Sequence, residues 1–153
     1  MATHLYKAEN WTSNPERFFR ELPEDWVADA RSLWPRMAAE SQIWVLTRHG
    51  KFRAGGILTR ALLPEMERYR SVAEGYYNRN YWYVGFLFVD PKSRGEGLGS
   101  RWLEAAWDWV PSRGLWLTIE TIDLLKFYTR NGFQLDQILH NAEAREWLLA
   151  RPR

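Results

Sequence analysis

The spacing of apolar positions changes several times along the chain, and each change marks an element. Trp26, Val27, Ala30, Leu33, Trp34, Met37 and Ala38 recur at helical spacing and give one apolar face. Pro35 lies inside that pattern and predicts a kink or a split. A shorter helix opens at Asn14-Pro15, because Asn caps well and Pro suits the first helical position; Pro23 ends it. Before it, His4 to Ala8 is a candidate first strand. Gln42 to Thr47 and Phe52 to Thr59 are β-rich runs around His49-Gly50, which reads as a hairpin turn.

Tyr81 to Val89 is continuous in aromatic and β-branched residues, as a buried central strand should be. It runs through Asp90-Pro91 into a glycine-rich turn. Leu98 to Val110 then returns to helical spacing, with Trp102, Leu103, Ala106, Trp109 and Val110 on its apolar side and Pro111 as a stop. Leu115 to Glu120 is the next strand. Thr121 can cap a helix from Ile122 to Arg130, with Asp123 favourable in its first turn and Asn131-Gly132 as a left-handed stop. Phe133 to Leu139 is a last strand and Asn141 to Ala150 a terminal helix. Pro64 to Asn80 reads as a short helix followed by a loop. It is either an excursion over the surface or a substrate lid. Together these elements predict an α/β chain of mixed α+β type, a mixed sheet covered by helices on both faces.

The length of 153 residues fits one domain, taken as residues 1–153. Ten Trp exceed what a core of this size requires, so some rings are expected at a pocket or an interface. The net charge of +2 is small, and no run of five like charges occurs, which argues against nucleic acid as a partner. The absence of Cys excludes disulfides, thiolate metal sites and a Cys nucleophile. His4, His49 and His140 lack ligand spacing, so no metal is expected. No leader-like or membrane-spanning stretch is evident, and the default is a soluble cytoplasmic protein without a membrane partner.

The candidate chemistry lies in Arg94-Gly95-Glu96-Gly97-Leu98-Gly99-Ser100, between a strand and a helix. Glycines let the backbone approach a phosphate, successive N–H groups converge, and the helix N-terminus adds a favourable dipole. Arg94 adds a charged fork. A Walker A loop would end in Gly-Lys-Ser/Thr, which is missing. A Rossmann fingerprint is a near miss in Gly95, Gly97 and Ser100, with Glu120 downstream, but only two candidate strands follow it.

Arg94-x-x-Gly97-x-Gly99 resembles the pyrophosphate signature Q/R-x-x-G-x-G/A of the GNAT superfamily of acyl-CoA-dependent N-acyltransferases. Gly85 to Pro91 looks like that family's fourth strand. Leu124 to Phe133, with Phe127-Tyr128 ahead of Gly132-Phe133, is similar to its later motif. The resemblance spans roughly Tyr81 to Phe133. It implies a central, mostly antiparallel mixed sheet whose fourth and fifth strands splay, with acetyl-CoA as cosubstrate in the gap. Backbone groups of Leu87, Phe88 and Val89 would hold the pantetheine arm, and Arg94, Gly95, Glu96, Gly97, Leu98, Gly99 and Ser100 the pyrophosphate. Tyr128 matches the tyrosine that commonly protonates the leaving thiolate.

The implied activity is transfer of acetyl to a primary amine, on a small molecule or a peptide, by direct attack in a ternary complex. The base is the weak point, because Tyr81 to Val89 holds no acid or histidine. Glu120 and Glu74 are the candidates. Where the family often has Asn, this chain has Thr121, whose hydroxyl can cap the helix or contact CoA. Rings between Tyr69 and Trp82 are candidates to hold a cation, and acids beside them suit a polyamine or an aminoglycoside. The final strand pair looks shortened: either a seventh strand is missing or a second subunit completes that edge, which motivates a homodimer as a hypothesis. Without a base, the alternative is a non-catalytic acyl-CoA-binding module. A third reading, a Trp-rich interaction protein, predicts no CoA affinity.

Overall fold

The computed structural model describes residues 6–140 and 145–153. Seven strands form one sheet in the order β1-β2-β3-β4-β5-β7-β6. They are β1 (Lys7–Asn10), β2 (Ser41–Arg48), β3 (Lys51–Thr59), β4 (Tyr81–Val89), β5 (Gly114–Ile119), β6 (Gln134–His140) and β7 (Arg145–Pro152). The helices are α1 (Pro15–Phe19), α2 (Glu24–Met37), α3 (Arg70–Asn78), α4 (Leu98–Trp109) and α5 (Leu125–Arg130). All strand pairs are antiparallel except β4 with β5.

Two adjacent glycines of β3 show how the layers close. A Cβ at Gly55 would meet Phe18 of α1 at 2.8 Å, and one at Gly56 would meet Trp102 of α4 at 2.8 Å. Successive strand positions face opposite sides of a sheet, so α1 and α4 cover opposite faces. The expected helices on both faces are present. The hairpin is present too: Arg48 pairs with Lys51, and His49 and Gly50 take φ of 54° and 72°, the left-handed pair that a two-residue turn requires.

Several expectations change. Asn141 to Ala150 is not a helix: Arg145–Pro152 is a strand, lying between β5 and β6 and pairing with both, while residues 141–144 fall outside the described part. Helix-forming Glu, Ala and Leu set the local preference there, but Leu148 and Leu149, each 0% exposed, are buried on opposite faces of the sheet. Burial on both faces is what a central strand supplies, and it overrides propensity. The seventh strand is therefore present, and the sheet ends on that side in β6.

The segment Pro64 to Asn80 is neither a surface excursion nor a loop. A 3-10 turn, Pro64–Tyr69, leads into α3, and Met66, Tyr69, Ala73, Tyr76 and Tyr77 are buried. Their rings gather on Trp116 of β5, with Tyr76 stacked at 5.0 Å and Tyr77 edge-on at 5.7 Å. Pro35 does not split α2, because it sits in the last turn, where only one backbone bond is lost. Thr121 and Asn14 precede their helices, but neither side chain makes a capping bond. The first strand begins at Lys7, and residues 1–5 lie outside the described part.

Candidate active site

The parallel pair β4/β5 is short. Its register runs Tyr81↔Gly114, Trp82↔Leu115 and Tyr83↔Trp116, and then the strands part. On its other side β4 stays paired with β3 to Val89↔Ala54, interrupted by a shift between Gly55 and Ile57. Phe86 sits at that shift with φ of 53°, a left-handed value rare for a bulky residue. A bulge there bends β4 and increases its local twist, which turns the strand away from β5. Beyond Tyr83 the β5-facing N–H and C=O groups of β4 have no strand partner. A cleft with a volume of about 1400 Å³ opens at this point.

One end of the cleft is the glycine-rich turn. Gly95 and Gly97 take φ of 86° and 72°, and a Cβ on either would meet nothing within 4 Å, so the space in front of them is open. The first intrahelical bond of α4 runs from Arg101 N–H to Gly97 O at 3.0 Å. The N–H groups of Leu98, Gly99 and Ser100 precede it and have no helical acceptor, which leaves them aimed at an anion. Arg94 lines this end with its guanidinium 5.7 Å from the Phe88 ring, and Arg130 of α5 also lines the cleft. Those donors suit a pyrophosphate. Arg130 carried no role in the sequence reading, although it lies two residues after Tyr128.

A Cβ at Gly99 would meet Phe127 at 2.9 Å, so the first turn of α4 and α5 are in direct contact. The two motifs, separate in sequence, are one site in space. Tyr128 follows Phe127, and its orientation comes from the way α5 ends. Phe133 N–H donates to Tyr128 O at 3.1 Å and Gly132 N–H to Thr129 O at 3.1 Å, with Gly132 at φ 86°. This double stop satisfies the last carbonyls of the helix and is accompanied by a hydrophobic contact across it. Here that contact is Tyr128 edge-on to Phe133 at 5.6 Å. The Gly-Phe of the motif thus serves to set the tyrosine. Burial pushes the Tyr128 phenol up to about 12, so it keeps its proton throughout the neutral range.

Leu87, Phe88, Val89, Arg94, Gly95, Gly97, Leu98, Gly99, Ser100, Glu120, Thr121 and Tyr128 all line this cleft. Glu96 and Glu74 do not. Glu96 accepts a hydrogen bond from Tyr6 Oη, and Glu74 lies 3.7 Å from Arg70 on the exposed side of α3. Asp29 of α2 and Glu65 of the 3-10 turn line the cleft instead; Glu65 is one of the acids of the segment read as a candidate lid, and Asp29 carried no role in the sequence reading. Glu65 is pushed above the usual carboxylate range, first by desolvation and then by the charges of Glu120 and Asp29, with Arg68 opposing. Trp26 contributes a wall, edge-on to Phe86 at 6.2 Å and Phe88 at 6.0 Å.

A bulge on the fourth strand, a glycine-rich turn at the following helix and a set tyrosine on the next thus share one cleft. A family model described as "Acetyltransferase (GNAT) family" matches residues 5–133. The chain belongs to the GNAT acetyltransferase family. Among solved structures it is similar to a candidate GNAT acetyltransferase from Desulfovibrio desulfuricans, at 14% identity and TM-score 0.69, covering 96% of this chain and 98% of that one. It is also similar to a GNAT family acetyltransferase from Elizabethkingia anophelis with acetyl-CoA bound, at 12% identity and TM-score 0.66, covering 97% and 99%. A third is a candidate streptothricin acetyltransferase from Bacillus anthracis str. Ames in complex with acetyl coenzyme A, at 19% identity and TM-score 0.58. That match covers 74% of this chain, which spans 63% of the length of that one. No curated protein matches the chain. No helix among the described residues is long and apolar enough to cross a membrane.

Proposed function

We propose that the chain is an N-acetyltransferase that carries acetyl from acetyl-CoA to a primary amine by direct attack in a ternary complex. The observation that carries this is the contact of Gly99 with Phe127, which puts the glycine cradle and Tyr128 on one cleft where β4 leaves β5. Acetyl-CoA supplies an activated thioester. The N–H groups from Leu98 to Ser100, with Arg94, suit its pyrophosphate, and the unpaired edge of β4 from Leu87 to Val89 suits its peptide-like arm. In the transfer an N–C bond forms, the C–S bond breaks and the amine loses a proton. Developing oxyanion charge is best met by fixed N–H groups, which the bulged strand provides. Tyr128 donates to the departing sulfur, so that the thiol leaves protonated. Glu120 and Glu65, which line the cleft together with Asp25 and Asp29, are the candidates to take the amine's proton through water.

The test is thiol release from acetyl-CoA over a panel of amines, beside calorimetric titration with acetyl-CoA. Turnover that falls in Tyr128→Phe while acetyl-CoA affinity holds is the expected result. Tight acetyl-CoA binding with no turnover on any amine would make the chain an acyl-CoA-binding module. No binding at all would remove the acyltransferase reading.

A further inference from the structure

An acid stands in the middle of a turn that suits an anion. Glu96 lies between Gly95 and Gly97, and its charge opposes the pyrophosphate that the turn is shaped to take. Its neighbours Arg94, Gly95, Gly97 and Leu98 line the cleft, and Glu96 does not. The Glu96 carboxylate is turned away from the cleft and accepts a hydrogen bond from Tyr6 Oη. It makes no ion pair among the described residues, so a phenol and not a cation holds it.

Tyr6 comes from far away, 90 residues before Glu96 in the chain. It directly precedes β1, where Lys7 pairs with Thr47 at the outer edge of the sheet. Two guanidiniums flank its ring: Arg48, at the end of β2, is 5.9 Å from the ring centre, and Arg101, in the first turn of α4, is 5.2 Å from it. One ring therefore touches the turn through Glu96 and the start of α4 through Arg101. Between those two contacts lie the free N–H groups of Leu98, Gly99 and Ser100. The bond to Glu96 raises the Tyr6 phenol above its usual value, so it keeps its proton to donate throughout the neutral range.

The turn needs such a tie. Gly95 and Gly97 take φ of 86° and 72°, and nothing lies within 4 Å of where their Cβ atoms would be, so no packing fixes them. Glycine loses more freedom than any other residue when its backbone is fixed. A loose turn would be ordered only as the ligand bound, with a loss of affinity. We propose that Tyr6 and Glu96 form a staple that holds the glycine-rich turn in its anion-binding shape before acyl-CoA arrives. The inference rests on the acetyltransferase reading and makes both side chains positioning residues, because neither lines the cleft.

Calorimetric titration with acetyl-CoA tests it through a sign. Charge alone predicts that removing a carboxylate from a phosphate site tightens binding. The staple predicts the reverse: Glu96→Ala and Tyr6→Phe should each weaken acetyl-CoA by about three- to tenfold, the range for one hydrogen bond. The Tyr6→Phe, Glu96→Ala double variant should be no weaker than the single ones, because both changes break the same bond. Glu96→Gln removes the charge but keeps an acceptor for Tyr6, so it should bind at least as tightly as wild type. In Tyr6→Phe the KM for acetyl-CoA should rise while kcat at saturation holds. Hydrogen exchange at Gly95, Glu96 and Gly97 in the free protein should speed up in Tyr6→Phe and not in Glu96→Gln, with the rest of the chain unchanged. Tighter or equal binding by Glu96→Ala, losses that add in the double variant, or exchange that quickens everywhere or nowhere would overturn the staple and leave the acetyltransferase reading standing. A wild type that binds no acetyl-CoA would remove that reading, and the staple with it.

Discussion

The glycine-rich part of the cleft comes largely from one stretch, Gly85 to Ser100, with Arg130 added from α5, and what it presents is mostly backbone. The acids that line the cleft, Asp29, Glu65 and Glu120, come from three separate parts of the chain and present side chains. The first kind of site demands specific backbone shapes, and those shapes demand glycine at fixed spacings, as at Gly95 and Gly97. The second kind demands only that the fold bring suitable side chains together, and any surface acid can serve. A common cosubstrate and a particular acceptor thus leave very different marks on a chain.

Tyr128 lines the same cleft, and its loss should give the largest effect. Tyr128→Phe is expected to lower kcat by about a hundredfold, the low end of general acid catalysis, with the acetyl-CoA dissociation constant unchanged by calorimetry. An equal loss in both would mean that the ring packs rather than donates. At the cradle, Arg94→Ala should weaken acetyl-CoA about tenfold, as expected for one charge-assisted hydrogen bond. The weakening should be smaller at high salt, and kcat at saturation should hold. Gly132→Ala forces a side chain into a left-handed stop at φ 86° and against Arg151, 2.9 Å from the added carbon. It should cost about 1–2 kcal/mol in chemical denaturation, and kcat should fall in the folded protein because Tyr128 loses its set.

The smallest expected effect is in alkali. Burial raises Tyr128 and Tyr69 from about 10 to about 12 in the folded chain, so the folded state holds those protons more tightly than the unfolded one. The stability that depends on them is fully present below pH 10 and declines between pH 10 and 12. Denaturation midpoints at pH 8, 10 and 11 should show a small loss from these groups over the first step and a larger fall over the second. The activity profile should likewise show no basic limb from Tyr128 near pH 10.

Elements with strong local signals were legible: the β2–β3 hairpin at His49-Gly50, β4, α4 and the α5 stop at Gly132. The fold class and splayed strands followed from two motifs, and the motifs prove to be one site because Gly99 meets Phe127. What escaped was set by distant packing. Arg145–Pro152 reads as a helix until Leu148 and Leu149 are seen buried on both faces between β5 and β6. Glu74 and Glu65 lie in the same segment and look alike as residues. Only the direction of the 3-10 turn and α3 decides that Glu65 faces the cleft and Glu74 faces Arg70.

The sheet order has a further consequence for assembly in time. β6 is made before β7, yet on the β5 side its neighbour in the finished sheet is β7 and not β5. A chain emerging residue by residue can complete its first five strands while β6 waits without a partner. The last two strands must then meet each other and dock along β5 in one late step. The β5–β7–β6 side of the sheet is therefore the last to close, after the cleft between β4 and β5 already has both of its strands.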